Sequence, residues 1–229
     1  MKNISIWNFY ARAYDVINEN VPYLQMLDEI TKELPTEGSL RILDAGCGTG
    51  NLLKKMSEEN LSSKFVGIDS SEEMLSRAKK KFPFDQRVSL HHANLDEKLE
   101  FTDHSFNRIV SSNTLYALKN PEKMISEFWR VLKPRGKMIL TNPHDTSSFS
   151  GIMKKQWQEL GFFKFITKFI LHLPSLLVII IVNVFFLKKN DNYWSQEKTI
   201  SILKKNGFKN ISIKLTYADQ ALLVSADKI

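Results

Sequence analysis

The chain of 229 residues has one cysteine, Cys47, so no internal disulfide can brace it. No Cys/His cluster has the spacing of a metal site, and no metal is expected. The opening stretch, MKNISIWNFYARAYD, carries charge and aromatics but lacks the apolar run and small-residue cleavage site of a signal peptide. Together with the lone cysteine, this sets the expected location in the cytoplasm. Internal repeats and low-complexity tracts are also missing. What remains is an ordinary globular composition, 43% apolar and 25% charged, enough for one large core or a core with an appended cap.

The net charge of +7, with a pI near 9.3, would suit nucleic acid or an anionic membrane, and its placement discriminates. Between Gly151 and Asn190, six lysines (Lys154, Lys155, Lys164, Lys168, Lys188, Lys189) face one acid, Glu159, and hold five of the seven net charges. These lysines are interleaved with aliphatics rather than spread over a groove with stacking platforms, so no nucleic-acid partner is expected.

The first thirty-odd residues read as helix, with Leu24, Leu27, Ile30 and Leu34 at helical spacing. Beyond PTEGS, short apolar strands (LRILDAG, KFVGID, RVSLHHA, NRIVSS and, after a KPRG turn, GKMILTN) alternate with capped helices (NLLKKMSEEN, SSEEMLSRAKKKF, PEKMISEFWRVL). Such alternation predicts a parallel sheet with helices on both faces. Near the C-terminus ISIKLTY and ALLVSA are separated only by ADQ, which permits a hairpin and forbids a crossover. The expected fold is therefore α/β: a Rossmann-like, doubly wound, seven-stranded sheet, mostly parallel, ending in one antiparallel strand. Its expected divisions are a helical cap (1–36), a core (37–145), an apolar and basic helical insertion (146–192), and a C-terminal helix and strand pair (193–229).

Residues Leu43 to Asn51 read LDAGCGTGN, placing Gly46, Gly48 and Gly50 at every second position after a strand. Missing Cβ atoms there let backbone approach a ligand, and the helix that follows offers free N–H groups. A dinucleotide fingerprint would need glycine where Asn51 stands. Asp69, ending the second strand, can accept two ribose hydroxyls. Asp44 beside the glycines would repel a diphosphate yet suits an ammonium group. S-adenosylmethionine carries an ammonium, a sulfonium and one carboxylate, and no phosphate.

On these residues the chain resembles the class I S-adenosylmethionine-dependent methyltransferases. LDAGCGTGN matches their first motif, VGIDSSEEML their second, ANLDEKLEFTDHSFNRIVSSNTLYAL the region of the third and fourth strands, and RVLKPRGKMIL the approach to the fifth. The resemblance runs from Tyr10 to Pro143 and resumes in the last helix and strand pair. It implies that Asp44, Gly46 and Gly48, with Ala45 and Cys47 in the same loop, line the methionine end of the cofactor. It further implies that Asp69 holds the ribose, that Ser70 and Met74 border the adenine, and that Asn94 and Leu95 touch the adenine edge. Asn94 stands where the family usually has an aspartate. Asn113 is implied near the methionine portion, and Tyr14 as an aromatic closing over the cofactor, while plain helix packing accounts equally well for Tyr14, Trp7 and Phe9.

Methyl transfer is an in-line displacement in which alignment and desolvation supply most of the acceleration, so no particular side chain is obligatory. Where a hydroxyl or phenol is the acceptor a base helps, and His144 and Tyr116, on loops after the fifth and fourth strands, are the candidate catalytic residues. His91 and His92 read as structural.

Between the fifth strand and the last helix, FFKFITKFILHLPSLLVIIIVNVFFLKK predicts a basic amphipathic helix with Phe162, Phe165, Ile166, Phe169 and Ile170 on one face and Lys164 and Lys168 on the other. Phe169 to Leu187 is then free of charge, nearly the ~20 residues of a membrane span but interrupted by Pro174 and Asn183. Flanking lysines point to an anionic lipid surface as partner, on the inner face of a membrane. The expected function is methyl transfer to a small hydrophobic, quinone- or phenol-like acceptor. Two alternatives stay open: methylation of a soluble metabolite with the apolar stretch as a lid only, and a non-catalytic cofactor-binding or membrane scaffold protein.

Overall fold

The computed structural model describes residues 4–35, 38–146, 149–182 and 192–229. Seven strands form one sheet: β1 (Arg41–Ala45), β2 (Lys64–Asp69), β3 (Val88–His92), β4 (Phe106–Ser112), β5 (Leu132–Pro143), β6 (Lys209–Thr216) and β7 (Ala221–Asp227), in the order β3-β2-β1-β4-β5-β7-β6. The first five pair in parallel, and β7 runs antiparallel to both β5 and β6. The reversed strand therefore lies inside the sheet, with β6 at the edge, whereas the sequence pattern had put it at the end. A four-residue link (217–220) makes β6 and β7 antiparallel neighbours, and β7 is the strand of the hairpin that pairs with β5.

Alternation along the strands feeds two cores. Leu43, Val66, Ile109 and Met138 pack on one face with Phe128 and Val131 of α5 (Pro121–Val131) and Ile202 and Leu203 of α9 (Gln196–Lys205). Ile42, Phe65, Val110 and Ile139 pack on the other with Tyr23, Met26 and Ile30 of α2 (Val21–Thr31) and Leu53 and Met56 of α3 (Asn51–Glu59). The buried face of α2 is thus shifted from the predicted one, and Leu24 is exposed. At the N-terminus the helical run divides into α1 (Ile4–Tyr14) and a 3-10 turn (Asp15–Glu19). Side-chain caps mark three further starts: Ser71 accepts the Met74 amide at α4 (Glu72–Lys81), Asn20 that of Tyr23 at α2, and Asn120 that of Lys123 at α5.

KPRG is not a turn before β5 but a bulge within it. Phe106 pairs with Leu132 and Arg108 with Lys137, so residues 133–136 loop out with Arg135 left-handed. Lys228 braces that bulge from behind. Its buried Nζ donates to the carbonyls of Trp129 (2.5 Å) and Leu132 (2.7 Å) and sits 4.8 Å from the centroid of the Trp129 ring.

After β5 come α6 (Phe149–Leu160), α7 (Phe162–Leu171) and α8 (Leu173–Ile181), the last two bent by 76° at His172 and Pro174. No single described helix is long and apolar enough to cross a membrane, although the bent pair passes on length and composition together. The one apolar face expected of α7 divides. Phe165 and Phe169 stack at 6.1 Å and face inward together with Lys168, while Phe162 and Ile170 are exposed. The remainder of the charge-free run, with Asn183, Lys188 and Lys189, lies outside the described residues.

Replacing Lys228 with methionine strips two buried carbonyls of a charged donor and should lower unfolding free energy by about 2 kcal/mol. Urea denaturation will show this as a lower midpoint with an unchanged slope.

Candidate functional site

Strand order reverses between β1 and β4, and in open α/β sheets the crevice beyond the strand ends at such a point receives ligands. Here that crevice encloses about 490 Å³ counted out to solvent, within the range of small-molecule sites. Gly46 and Gly48 after β1, Asp69 and Ser70 after β2, and Ser112, Asn113 and Thr114 after β4 form its floor. Trp7 and Tyr14 of α1, Met74, Leu95 and Ala117 complete the walls.

Gly46 and Gly48 are glycine for different reasons. A Cβ on Gly46 would lie 2.3 Å from Thr114 Oγ1, so that glycine is required by the β4 loop rather than by any ligand. A Cβ on Gly48 would meet nothing nearer than 4.0 Å, between Tyr14 and Met74, and would project into the crevice. Both residues are left-handed. Asp69 holds the loop in place: its Oδ2 accepts the Gly48 amide and its Oδ1 the Ser71 amide, both at 2.9 Å. The Ser70 amide also bonds this carboxylate, which still has capacity for a further donor.

Asp44 is 1% exposed and lies beneath the lining, with no hydrogen-bond partner for Oδ2 among the described residues. Burial, and after it the charge of Asp69, pushes its carboxyl from the ordinary 3.8 up to about 8. Burial also raises Asp69, against the pull of its backbone amides. The thiol of Cys47 goes up for the same reasons, burial first and then the two carboxylates, which makes it an inert structural side chain. No lysine or arginine is among the lining residues, which disfavours a diphosphate. A buried carboxylate oxygen without a partner among the described residues, an acid oriented by the Gly48 amide, and a described wall without lysine or arginine fit a ligand with an ammonium group, ribose hydroxyls and no phosphate.

A family model described as a methyltransferase domain matches residues 36–199, more than half of the chain. The chain belongs to the class I S-adenosylmethionine-dependent methyltransferases. A relative from Rickettsia felis named ubiquinone/menaquinone biosynthesis C-methyltransferase UbiE is 28% identical, covering 98% of this chain and 92% of its own. YqeM of Bacillus subtilis is 33% identical over 62% of this chain, which spans 56% of that protein's length. Among solved structures, a SAM-dependent methyltransferase from Aquifex aeolicus shares the fold at a TM-score of 0.65 and 17% identity, covering 95% of this chain and 98% of that one.

Of the residues the methyltransferase resemblance singled out, Tyr14, Gly46, Gly48, Asp69, Ser70, Met74, Leu95 and Asn113 line the crevice. Asn113 occupies its loop with φ of 49°, which asparagine tolerates. Ala45 is fully buried, its carbonyl accepting Ser111 Oγ. Asn94 turns away: its Oδ1 accepts the Asp96 amide and its Nδ2 donates to Glu97, so it stiffens its own loop rather than lining the crevice. His144 is not among the lining residues either. Its Nε2 is 2.8 Å from the Asp219 carbonyl and its Nδ1 accepts from Thr146, which clips the end of β5 to the β6–β7 link. Tyr116 is buried against Tyr193, and burial raises its phenol well above the ordinary range. His92 bonds the Ser70 carbonyl, in keeping with a structural role.

Trp7, for which helix packing was an equally good reading of the sequence, also lines the crevice, and its Nε1 is buried without a hydrogen-bond partner among the described residues. Sequence reasoning missed the tie that holds the α1 roof down: Asp15 accepts Thr49 Oγ1 at 2.7 Å and Lys81 Nζ at 3.0 Å. Nothing in local spacing links residues so far apart.

Since Asp44 titrates near 8 in the fold against 3.8 for an ordinary aspartate, the folded protein keeps a proton across that span which the unfolded chain gives up. Its stabilisation is complete below about pH 4 and lost as pH rises through about 8. Ligand-free protein should lose stability between pH 5 and 8, and Asp44→Asn should flatten that loss, as measured by urea midpoints across the interval.

Proposed function

We propose that this protein transfers the methyl group of S-adenosylmethionine to a small apolar acceptor of the quinone or phenol class, taken up at an anionic membrane surface. The observation that carries the reading is the pairing of a buried Asp44 oxygen that has no partner among the described residues with an oriented Asp69 in a crevice whose described lining holds no lysine or arginine. Asp44 would hold the ammonium, Asp69 the ribose hydroxyls, and Met74 and Leu95 the adenine faces. When bound, S-adenosylmethionine supplies an electrophilic methyl group on a sulfonium. The chain's task is then to align the acceptor and keep water out, which Trp7 and Tyr14 of the roof do.

Neither candidate base is available. Both nitrogens of His144 are engaged, and the Tyr116 phenol stays protonated. Alignment and desolvation therefore carry the rate, as suits an acceptor that is itself electron-rich. A relative named for ubiquinone and menaquinone C-methylation supports a quinone-type ring as that acceptor. The cap (1–36) and the insertion (146–192) would frame the acceptor side.

A second reading, in which α8 is only a lid over a soluble metabolite, is favoured by Val178, Ile179 and Val182 packing against Tyr10 and Ala11 of α1. Flotation with anionic vesicles separates the two: methylation by protein that does not float supports the lid.

Methyl-labelled S-adenosylmethionine should label a demethylated quinol in vesicles, and a cofactor bound without transfer to any acceptor would support a scaffold instead. Asp69→Ala should weaken cofactor binding at least about tenfold by titration calorimetry, since two charge-assisted hydrogen bonds are lost.

A further inference from the structure

α1 spans the crevice. At one end Tyr14 stands 4.0 Å from where a Cβ on Gly48 would lie. Seven residues earlier, about 10 Å back along the helix axis, Trp7 meets the other end. Ser71 Oγ donates to Asn8 Oδ1 at 2.6 Å, so the turn of α1 that carries Trp7 is fastened over the start of α4, beside Ser70 and Met74. Trp7 packs in one cluster with Met74 and makes an edge contact with Tyr10, 5.7 Å between ring centroids.

The indole lines the crevice, yet its Nε1 is buried and has no hydrogen-bond partner among the described residues. An indole nitrogen can only donate, and a buried donor without a partner destabilises a fold unless something outside the chain receives it. With the ribose on Asp69 and the base against Met74 and Leu95, the base is the part of the cofactor that this end of the crevice meets. Asn94 cannot serve it, because both of its polar atoms are spent on Asp96 and Glu97. Adenine offers the indole three uncharged acceptors, its ring nitrogens N1, N3 and N7. The carboxylate of the cofactor shares a carbon with the ammonium and so lies on the glycine-loop side with Asp44.

We propose that Trp7 donates its indole N–H to a ring nitrogen of the adenine, taking over the polar hold on the base that Asn94 does not give. The inference rests on the cofactor placement given above. It assigns α1 a part in binding the cofactor as well as in covering it.

Titration calorimetry of the full chain with S-adenosylhomocysteine and its 1-deaza, 3-deaza and 7-deaza analogues tests this, since each analogue exchanges one ring acceptor for a C–H. In the unaltered protein one analogue should bind about tenfold more weakly than the parent. Trp7→Phe should weaken the parent by a similar factor and bring that analogue to within about twofold of it, because donor and acceptor are lost from the same bond. Thermal midpoints show that the variant folds. Equal losses for the parent and every analogue in Trp7→Phe would make the residue a packing element and overturn the proposal. So would a variant that binds the parent normally but raises the KM of the methyl acceptor, which would place the donor on the acceptor instead. Failure of the unaltered protein to bind S-adenosylhomocysteine would overturn the cofactor placement and this proposal with it, whereas tight binding that weakens in Asp69→Ala and is indifferent to Trp7→Phe overturns the indole contact alone.

Discussion

Backbone amides converge on one carboxylate at the centre of this protein. By accepting Gly48 and Ser71, Asp69 joins the loop after β1 to the loop after β2 and gives the crevice its floor. Such bonds to a buried charge are strong, and they orient the oxygens so that the remaining lone pairs face outward. The cost falls on Asp44, which lies beneath that floor close enough to feel the second charge. Two acids in one dry pocket cannot both ionise cheaply, so the ligand-free fold keeps a proton there. A cationic ligand would relieve that repulsion, which makes the pair selective by charge before any shape is considered.

The roof depends on a different tie. α1 is held where it contributes Trp7 and Tyr14 to the crevice in part by Asp15, Thr49 and Lys81, which clasp the 3-10 turn to the glycine loop. Ser71 Oγ donating to Asn8 adds a second clasp. α8 packs against Tyr10 and Ala11 of α1, so the described part of the insertion meets the roof of the crevice.

The sheet was legible because strand and helix periods are local: each parallel strand from LRILDAG to GKMILTN appears where its apolar run lies, and the ADQ link forced a hairpin. Asp44, Asp69 and Gly48 were legible because motif spacing places them at strand ends. Gly46 was read as room for a ligand, but the atom it accommodates is Thr114, brought there by a strand more than sixty residues on. Asn94 and His144 looked available, yet Asn94 is spent on Asp96 and Glu97 within its own loop and His144 on Thr146 and the distant Asp219 carbonyl. The His144 contact is set by tertiary structure and leaves no periodic trace. The inward turn of Lys168 is another case, since a helical wheel cannot tell which side of α7 meets α6.

The most direct test is to titrate S-adenosylmethionine at pH 6.5 in buffers of differing ionisation enthalpy. If the ligand's ammonium replaces the proton on Asp44, the observed heat will vary linearly with buffer enthalpy with a slope signifying proton release, and Asp44→Asn will remove that slope. Heat independent of the buffer in the unaltered protein would contradict the account, because the buried acid would then play no part in receiving the cation.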